Sequence, residues 1–579
     1  MLCRRTVNVR PSRWEPRAYD RALADGLSTD LGVNPVVGRL LAQRGVSDSE
    51  TGQRFLNPSL EQLHDPFQLT DLSGAVDRLL AAVRLGERIA VHGDYDVDGV
   101  ASTVIVRRML ELLEADVLHY IPNRLVDGYG LEPAGIVRLH AEGVKVIVSV
   151  DCGIRSIEAA DRARQLGMDL IVTDHHEPDA ILPAAFAVIN PKRKDCSYPD
   201  KNLAGVGVAL KLVQALCLRT SHEAWLPAFV KIAAIGTIGD VVPLHGENRV
   251  IARVGLDGMT RGPNVVGLNA LLEVAGLDAK VLESSHVAFG LAPRINAAGR
   301  MSSPDLAVRL LLMVGNSRRE QARLLACELD EENARRKREE EDLVAQARKK
   351  VESNPDIGAH GIVVVAGAGW HRGVIGIVAS RLVELLGKPT VVLSIDGKTA
   401  HGSGRSIPGF DLLSALDGCA DLFSRFGGHR QAAGVTLEAG RVAELRSRLA
   451  TYAKEHLDAD DLTPRLQIDA PMELREITDD VFDDLTRLEP FGFGNPRPIF
   501  QASGVAVVDG PRVLKQQHLA MSVKQGSRVV RAVAWRAVER KEFLQRRSGL
   551  IDVAYSLMKN RFRGEAYLEL SVADVREAR

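Results

Sequence analysis

The run Arg88-Ile89-Ala90-Val91-His92-Gly93-Asp94-Tyr95-Asp96-Val97-Asp98-Gly99 decides how the rest of the chain is read. Its apolar first half is a short buried strand, and the abrupt change to closely spaced aspartates marks that strand's carboxyl end. Carboxylates at this density repel one another and resist desolvation unless cations neutralise them. An acidic turn is the plain alternative, because Asp-Gly is a favoured turn dipeptide. On this stretch alone the two readings balance.

The pattern recurs downstream. Val100 to Glu114 reads as a helix, then Val117 to Ile121 as a strand before the helical Pro133 to Glu142. Val144 to Val150 precedes Ile154 to Leu166, and Leu170 to Thr173 follows. Such alternation predicts βαβ units on a parallel sheet with covering helices. Three of these strands end in polar clusters: Gly93 to Asp96, Asp151-Cys152-Gly153, and Asp174-His175-His176. Open α/β sheets place ligands along that edge. A lone strand-end aspartate is usually a helix cap, but three converging clusters are a ligand set. Carboxylate and imidazole donors without thiolates suit Mn²⁺ or Mg²⁺ and tolerate Zn²⁺ or Co²⁺. Two ions ~3.5 to 4 Å apart need a shared carboxylate and separate ligand sets, and this inventory is large enough for both.

With 579 residues and 45% hydrophobic content, the chain exceeds one core and should form roughly three or four domains. Ser317 to Ser353 opens on Ser317-Arg318-Arg319-Glu320, a capping box, and ends at Asn354-Pro355. Its middle, Glu331 to Asp342, is charged all round, with Glu331 to Arg335 and Glu332 to Arg336 pairs at helical spacing. A helix polar on every face bridges domains through solvent. Gly361 to Ala366, Gly373 to Leu386 and Thr390 to Ser394 read as strand, helix and strand of a second, smaller α/β domain. From Leu466 the texture becomes short β-type runs (Ile499 to Gly504, Val505 to Val508, Leu519 to Val523, Val529 to Trp535, Ile551 to Leu557, Ala566 to Val572), which suggest a small all-β barrel. The fold class is therefore α/β: two α/β domains joined by a long helix, plus an all-β OB-like barrel. The expected segments are 1–75 (a small helical lead-in), 76–245, 246–355, 356–460 and 461–579.

The formal net charge of −1 carries no global sign of nucleic-acid binding, yet Pro511 to Arg579 holds 15 Lys and Arg against 7 Asp and Glu. That segment is +8, leaving −9 for the remainder. The six cysteines form no Cys-x-x-Cys pair, which argues against a zinc ribbon or a disulfide framework. No apolar run is long enough to span a bilayer. Arg4, Arg5, Arg10, Arg13 and Arg17 have no apolar block behind them, so a secretory signal is not expected and the cytoplasm is the default location.

The order His92-x-x-x-Asp96-x-Asp98, Asp151, Asp174-His175-His176 and Gly239-Asp240 resembles the four motifs of the DHH phosphoesterase superfamily. Gly427-Gly428-His429-Arg430-Gln431-Ala432-Ala433-Gly434 resembles the motif of the DHH-associated domain. Gly402-Ser403-Gly404-Arg405-Ser406 and Leu488-Glu489-Pro490-Phe491-Gly492-Phe493-Gly494-Asn495-Pro496 narrow the resemblance to the RecJ family, bacterial exonucleases that degrade single-stranded DNA from its 5′ end.

The resemblance implies that Asp96 and Asp151 hold one metal, with His92 an additional ligand. It implies that Asp98, His175 and Asp240 hold the other, with Asp151 bridging. His176 then faces the substrate phosphate, and Asp94 and Asp174 are supporting carboxylates. Ser403 and Arg405, read as a glycine-rich loop, and Arg124 become candidates for the pocket of the 5′-phosphate. Tyr129 would stack on the first base, and Arg294 and His429 would touch the strand. In the tail, Lys515, Lys524, Arg528, Arg531, Arg536, Arg561 and Arg563 interleave with Trp535, Phe562 and Tyr567, the mixture a single-strand groove uses. The resemblance also implies a monomer that meets single-strand-binding protein and a RecQ-type helicase. Two rivals stay open at this point: a DHH-type hydrolase of short oligonucleotides or cyclic dinucleotides, and a non-catalytic single-strand-binding scaffold.

Overall fold

A computed structural model describes residues 12–122, 130–545, 549–562 and 565–578. Arg124, Tyr129 and Arg563, and the side chains of Arg561 and Phe562, lie outside the described residues. The chain divides into two compact units, one carrying Pro16–Glu332 together with the segment from Ile468 onward, the other carrying Asn333–Gln467.

The first unit is built on a five-stranded sheet in the order Val117–Tyr120, Ile89–His92, Val146–Val150, Asp169–Thr173, Ala187–Ile189. Every neighbouring pair is parallel. Alternate residues serve opposite faces. Ile89, Val91, Val146, Val148 and Ile171 join one core with the helices Val97–Leu112 and Gly205–Thr220, while Ala90, Ile147, Leu170 and Val172 join another with Ile136, Leu139 and Ala163. Burial on both faces explains the continuous apolar runs of these strands. The chain starts at Ile89–His92, steps to the edge strand Val117–Tyr120, then reverses to Val146–Val150. The reversal lies between the first and third strands, where an open sheet leaves a crevice for ligands.

The helix expected from Val100 begins at Val97, because Asp96 caps it. Asp98 therefore sits in a first helical turn rather than in a loop.

The C-terminal strands form a six-stranded barrel, Ala470–Pro471, Phe500–Leu514, His518–Gln525, Arg528–Ala534, Glu565–Glu577 and Ile551–Phe562, closed by pairing of Phe500 with Tyr555 and Val505 with Ile551. The two runs expected at 499–504 and 505–508 are one long strand, bent by register shifts at Val507/Asp509 and Asp509/Arg512. The N-terminal helices Arg21–Leu31, Pro35–Gln43 and Ser49–Leu56 are not a separate lead-in. Leu27, Val37, Leu40, Leu41 and Leu56 share one core with Leu474, Phe500, Val505 and Tyr555 of the barrel module.

In the second unit, the sheet runs Phe423–His429, Ala432–Glu438, Thr399–Arg405, Thr390–Asp396, Val363–Ala368, and only the last pair is parallel. The helix Arg319–Ser353 passes through the division between the units and carries Arg336 to Glu340 and Arg348 to Glu352 pairs at 2.9 and 3.4 Å. The described cysteines are free thiols. Among the described residues, no helix is long and apolar enough to cross a membrane.

Candidate metal centre

Each donor is placed by backbone geometry at a strand end or a helix terminus. Asp96 accepts from the N–H groups of Asp98 and Gly99 at 2.9 and 3.1 Å. Gly99 is required there, since a Cβ would stand 2.5 Å from the Asp94 carbonyl oxygen. Asp98 is fully buried, and its two oxygens accept from Gly205 N at 2.7 Å and Val206 N at 2.8 Å. These are the first amides of the Gly205–Thr220 helix, a terminus that favours negative charge. Asp151 turns its carboxylate inward from a backbone at φ +60°, a region that non-glycine residues rarely occupy. Its Oδ1 fills the space where a Cβ on Gly205 would stand, 2.4 Å away.

Asp174 is an organiser. Its Oδ1 accepts from His175 N (2.7 Å), His176 N (3.0 Å) and His176 Nδ1 (2.7 Å), and its Oδ2 from Ile154 N (2.9 Å). Burial alone would raise its pKa, but the hydrogen bonds and the charge from His176 outweigh burial and hold it below the usual value. His175 Nδ1 lies 3.2 Å from the Leu203 carbonyl oxygen, which turns Nε2 toward the carboxylates: 3.3 Å from Asp151, 3.8 Å from Asp240 and 4.0 Å from Asp98.

Three groups of donor atoms each fall within 4.8 Å of one another: Asp94, Asp96 and Asp151; Asp98, His175 and Asp240; and Asp151, His175 and His176. Such groups can hold more than one divalent ion, and two features fit that occupant. Asp151 Oδ1 and Asp240 Oδ2 are buried yet accept no hydrogen bond, and buried carboxylate oxygens are rarely left so. Moreover, the pKa values of Asp98 and Asp151 are pushed well above the usual range, and that of Asp240 is raised, first by burial and then by neighbouring carboxylates. A cation reverses both penalties.

Asp94, which the sequence cast as a supporting carboxylate, stands among the donors. His92, expected as an additional ligand, belongs to none of the three groups. It is buried, 3.8 Å from Cys152 Sγ, and burial depresses its pKa to about 4, so it is neutral at physiological pH. Asn296 was not singled out at all. Its Oδ1 accepts from Val97 N at 2.7 Å and locks the start of the helix that carries Asp98.

The remaining candidates divide. Arg294 donates to the Gly290 carbonyl at 2.6 Å and pairs with Asp330 at 2.8 Å, the environment of a structural arginine rather than a free strand contact. Ser403 and Arg405 are on the strand Thr399–Arg405, which corrects the loop reading; Arg405 donates to Ser403 Oγ at 3.2 Å. Both face the first turn of the helix Ile375–Leu386, where a Cβ on Gly376 would stand 3.0 Å from Ser403 Oγ and 3.3 Å from Arg405 Nη2. His429 ends the strand Phe423–His429, and its Nδ1 accepts from Gln431 N at 3.2 Å.

Strand-end donors at the reversal of a parallel sheet define the class, a metal-dependent phosphoesterase. Family models agree: the DHH family N-terminal domain matches residues 88–237, the DHHA1 domain 358–455 and the RecJ OB domain 468–574. The chain is 38% identical to the single-stranded-DNA-specific exonuclease RecJ of Bacillus subtilis, over 92% of this chain and 66% of that protein. It is 36% identical to RecJ of Escherichia coli, over 93% of this chain and 96% of that one. The crystal structure of Thermus thermophilus RecJ in complex with Mn²⁺ superimposes with a TM-score of 0.83 at 31% identity, covering 98% of this chain and 80% of that one. A Mg²⁺ complex of the same protein matches at 0.76. The chain belongs to the RecJ family of single-stranded-DNA-specific exonucleases.

Proposed function

We propose that this chain hydrolyses single-stranded DNA from the 5′ end to 5′-mononucleotides, using two divalent ions, Mn²⁺ or Mg²⁺. The observation that carries the reading is the pair of buried, hydrogen-bond-free oxygens of Asp151 and Asp240 among converging donors. Asp96 and Asp151, joined by Asp94, form one ligand set; Asp98, His175 and Asp240 form the other; Asp151 is shared. Two such ions supply an acidic water and positive charge for the phosphate and the leaving 3′-oxygen.

The chain's own groups do the positioning. The Leu203 carbonyl fixes the proton of His175 on Nδ1 and leaves the Nε2 lone pair for a metal. Asp174 accepts from Nδ1 of His176 and so turns its partly exposed ring to donate an Nε2–H to the scissile phosphate. Replacing Asp174 with Asn exchanges an acceptor of four hydrogen bonds for a weaker one and should lower the cleavage rate about 10- to 100-fold. A rate within twofold of wild type at saturating Mn²⁺ contradicts the role.

Polarity and strand choice rest on resemblance, with Ser403 and Arg405 beside a helix N-terminus as the anchor for a terminal phosphate. Digestion of 5′-labelled and 3′-labelled single strands decides it: early release of labelled mononucleotide from the 5′ end supports the reading, and early release from the 3′ end overturns it.

The barrel module supplies affinity along the strand. Lys524 and Arg531 are exposed on adjacent strands, and Arg531 lies 5.7 Å from the Tyr567 ring centroid with its Nη1 3.2 Å from the hydroxyl. If both cations contact phosphate, Lys524→Ala with Arg531→Ala should reduce the salt slope of single-strand binding by about 1.4. An unchanged slope removes them from the interface. Cytoplasmic location, a monomeric state, and partnership with single-strand-binding protein and a RecQ-type helicase extend the same proposal; sedimentation of the full chain with each partner tests the last.

A further inference from the structure

The second donor group, Asp98, His175 and Asp240, is assembled from two backbone segments. Residues 203–206 hold two of its members: the Leu203 carbonyl sets His175, and the Gly205 and Val206 amides bind Asp98. Asp240 ends the helix Leu226–Gly239, and the loop after it passes through Val241 at φ +65°, a strained conformation for a β-branched residue.

One side chain staples these segments together. Asn248, fully buried in the first turn of the helix Gly246–Arg261, accepts from Ala204 N at 3.3 Å and donates Nδ2 to the Asn202 carbonyl at 2.5 Å and the Pro243 carbonyl at 3.1 Å. Its contacts thus flank both the amides that bind Asp98 and the loop that follows Asp240. The start of its own helix is fixed independently: Glu247 N donates to Asp200 Oδ2 at 2.9 Å, and Gly246 sits where a Cβ would collide with that same oxygen. Asn248 makes no direct contact with a donor of the Asp94, Asp96 and Asp151 group: the turn at Gly99 holds Asp96, and the nearest link is Gly205, which packs on Asp151.

We propose that Asn248 is a positioning residue for the Asp98, His175 and Asp240 site in preference to the other, setting the spacing of its ligands and hence its metal affinity. The inference rests on the two-ion reading above. Truncating the amide frees Pro243 from Ala204 and lets the strained turn at Val241 relax, so Asp240 moves relative to Asp98. The other site keeps the backbone hydrogen bonds that hold Asp96, and only the packing of Gly205 on Asp151 links it to the loosened segment.

Calorimetric titration of the metal-free full chain with Mn²⁺ tests this. Wild type is expected to take up two ions. Asn248→Ala should bind one with affinity within twofold of wild type and the other about 10- to 100-fold more weakly. Its single-strand dissociation constant in chelator should be unchanged, and its cleavage should recover as Mn²⁺ is raised. Asn248→Asp keeps the acceptor for Ala204 but loses both donations and should resemble Ala; Asn248→Ser replaces Ala if that variant does not fold. A folded variant that binds both ions as wild type does, or loses both equally, overturns the inference. A wild-type chain that holds fewer than two ions overturns the two-ion reading itself, and is seen without any variant.

Discussion

Asp151→Asn is expected to lower DNA hydrolysis by ~10³-fold or more, about 4 kcal/mol of transition-state stabilisation, while raising the melting temperature of the metal-free protein. The two effects have one origin. Asp151 belongs to two of the three donor groups, with Asp94 and Asp96 and with His175 and His176, so under the proposed two-ion arrangement its loss removes the shared ligand. Without metal the same carboxylate is a liability, buried and beside Asp96, Asp94 and Asp240, which together push its pKa well up. For a group whose folded pKa exceeds its unfolded value, the stabilising contribution is present below the unfolded value, near 4. It is lost as pH rises through the folded one. Metal-free wild type should therefore melt lower at pH 8 than at pH 5.5, and Mn²⁺ should restore most stability at pH 8. Asn keeps the shape and removes the charge, flattening that dependence; each kcal/mol recovered corresponds to about 2 to 4 °C or less in a chain of this size. Thermal unfolding in chelator at both pH values, with cleavage assays in excess Mn²⁺, measures the pair. Substantial hydrolysis by the variant sinks the bridging role, and a variant that melts lower at both pH values sinks the electrostatic account.

The donor set was legible in the sequence because a parallel sheet imposes a simple rule. Both faces of its inner strands are buried, so charged residues cluster where those strands end. That rule found Asp94, Asp96, Asp151, His175 and His176 among the donors and Asp174 beside them, and the resemblance added Asp240. It could not find what holds them. Gly205-Val206-Gly207-Val208 reads as an apolar helix start, and nothing in those residue types shows that two of their amides bind Asp98 across more than a hundred residues. Ser403 and Arg405 were misplaced for an opposite reason. Gly402 and Gly404 suggested a turn, but they are strand residues made small by packing: a Cβ on Gly402 would stand 2.5 Å from Val435 and one on Gly404 2.7 Å from Leu412, both in the core on the same face of the sheet. For the N-terminal helices the sequence offered only a small helical lead-in, suggested by Pro35, Val36, Leu40 and Leu41. Their partner, a barrel more than 400 residues later, is a tertiary fact that no local pattern contains.

Arg249→Met should produce the largest loss of stability of any single change considered, at least about 3 kcal/mol. Arg249 is buried and is held by backbone oxygens: Nε donates to Phe55 at 2.8 Å, Nη1 to Leu488 at 3.0 Å and Nη2 to Glu489 at 2.9 Å, with the guanidinium 3.7 Å from the Phe55 ring centroid. Burial, then Arg253 and Arg44, depress its pKa to about 9, so it is still charged at pH 7. Methionine fills the volume but removes all three donations: the Phe55 carbonyl loses this donor, at about 1 to 3 kcal/mol if water cannot reach it, while Leu488 keeps Asn495 and Glu489 keeps only a long contact to Arg253. The consequence extends beyond one side chain, because the segment it holds is itself a junction. Asn495 Nδ2 donates to the Leu488 and Pro490 carbonyls, Arg44 of the N-terminal helices donates to Asn495 Oδ1, and Leu244 N donates to the Phe493 carbonyl. The sequence Leu488 to Pro496 thus joins the N-terminal helices, the barrel module and the loop that follows Asp240. Arg249→Lys should fail to rescue, because a single ammonium cannot replace a planar fork aimed at three separate oxygens. Urea denaturation of the full chain, with limited proteolysis to locate the first opening, is expected to show early cleavage near residues 487–496. A midpoint within the error of wild type would show that these carbonyls find water instead.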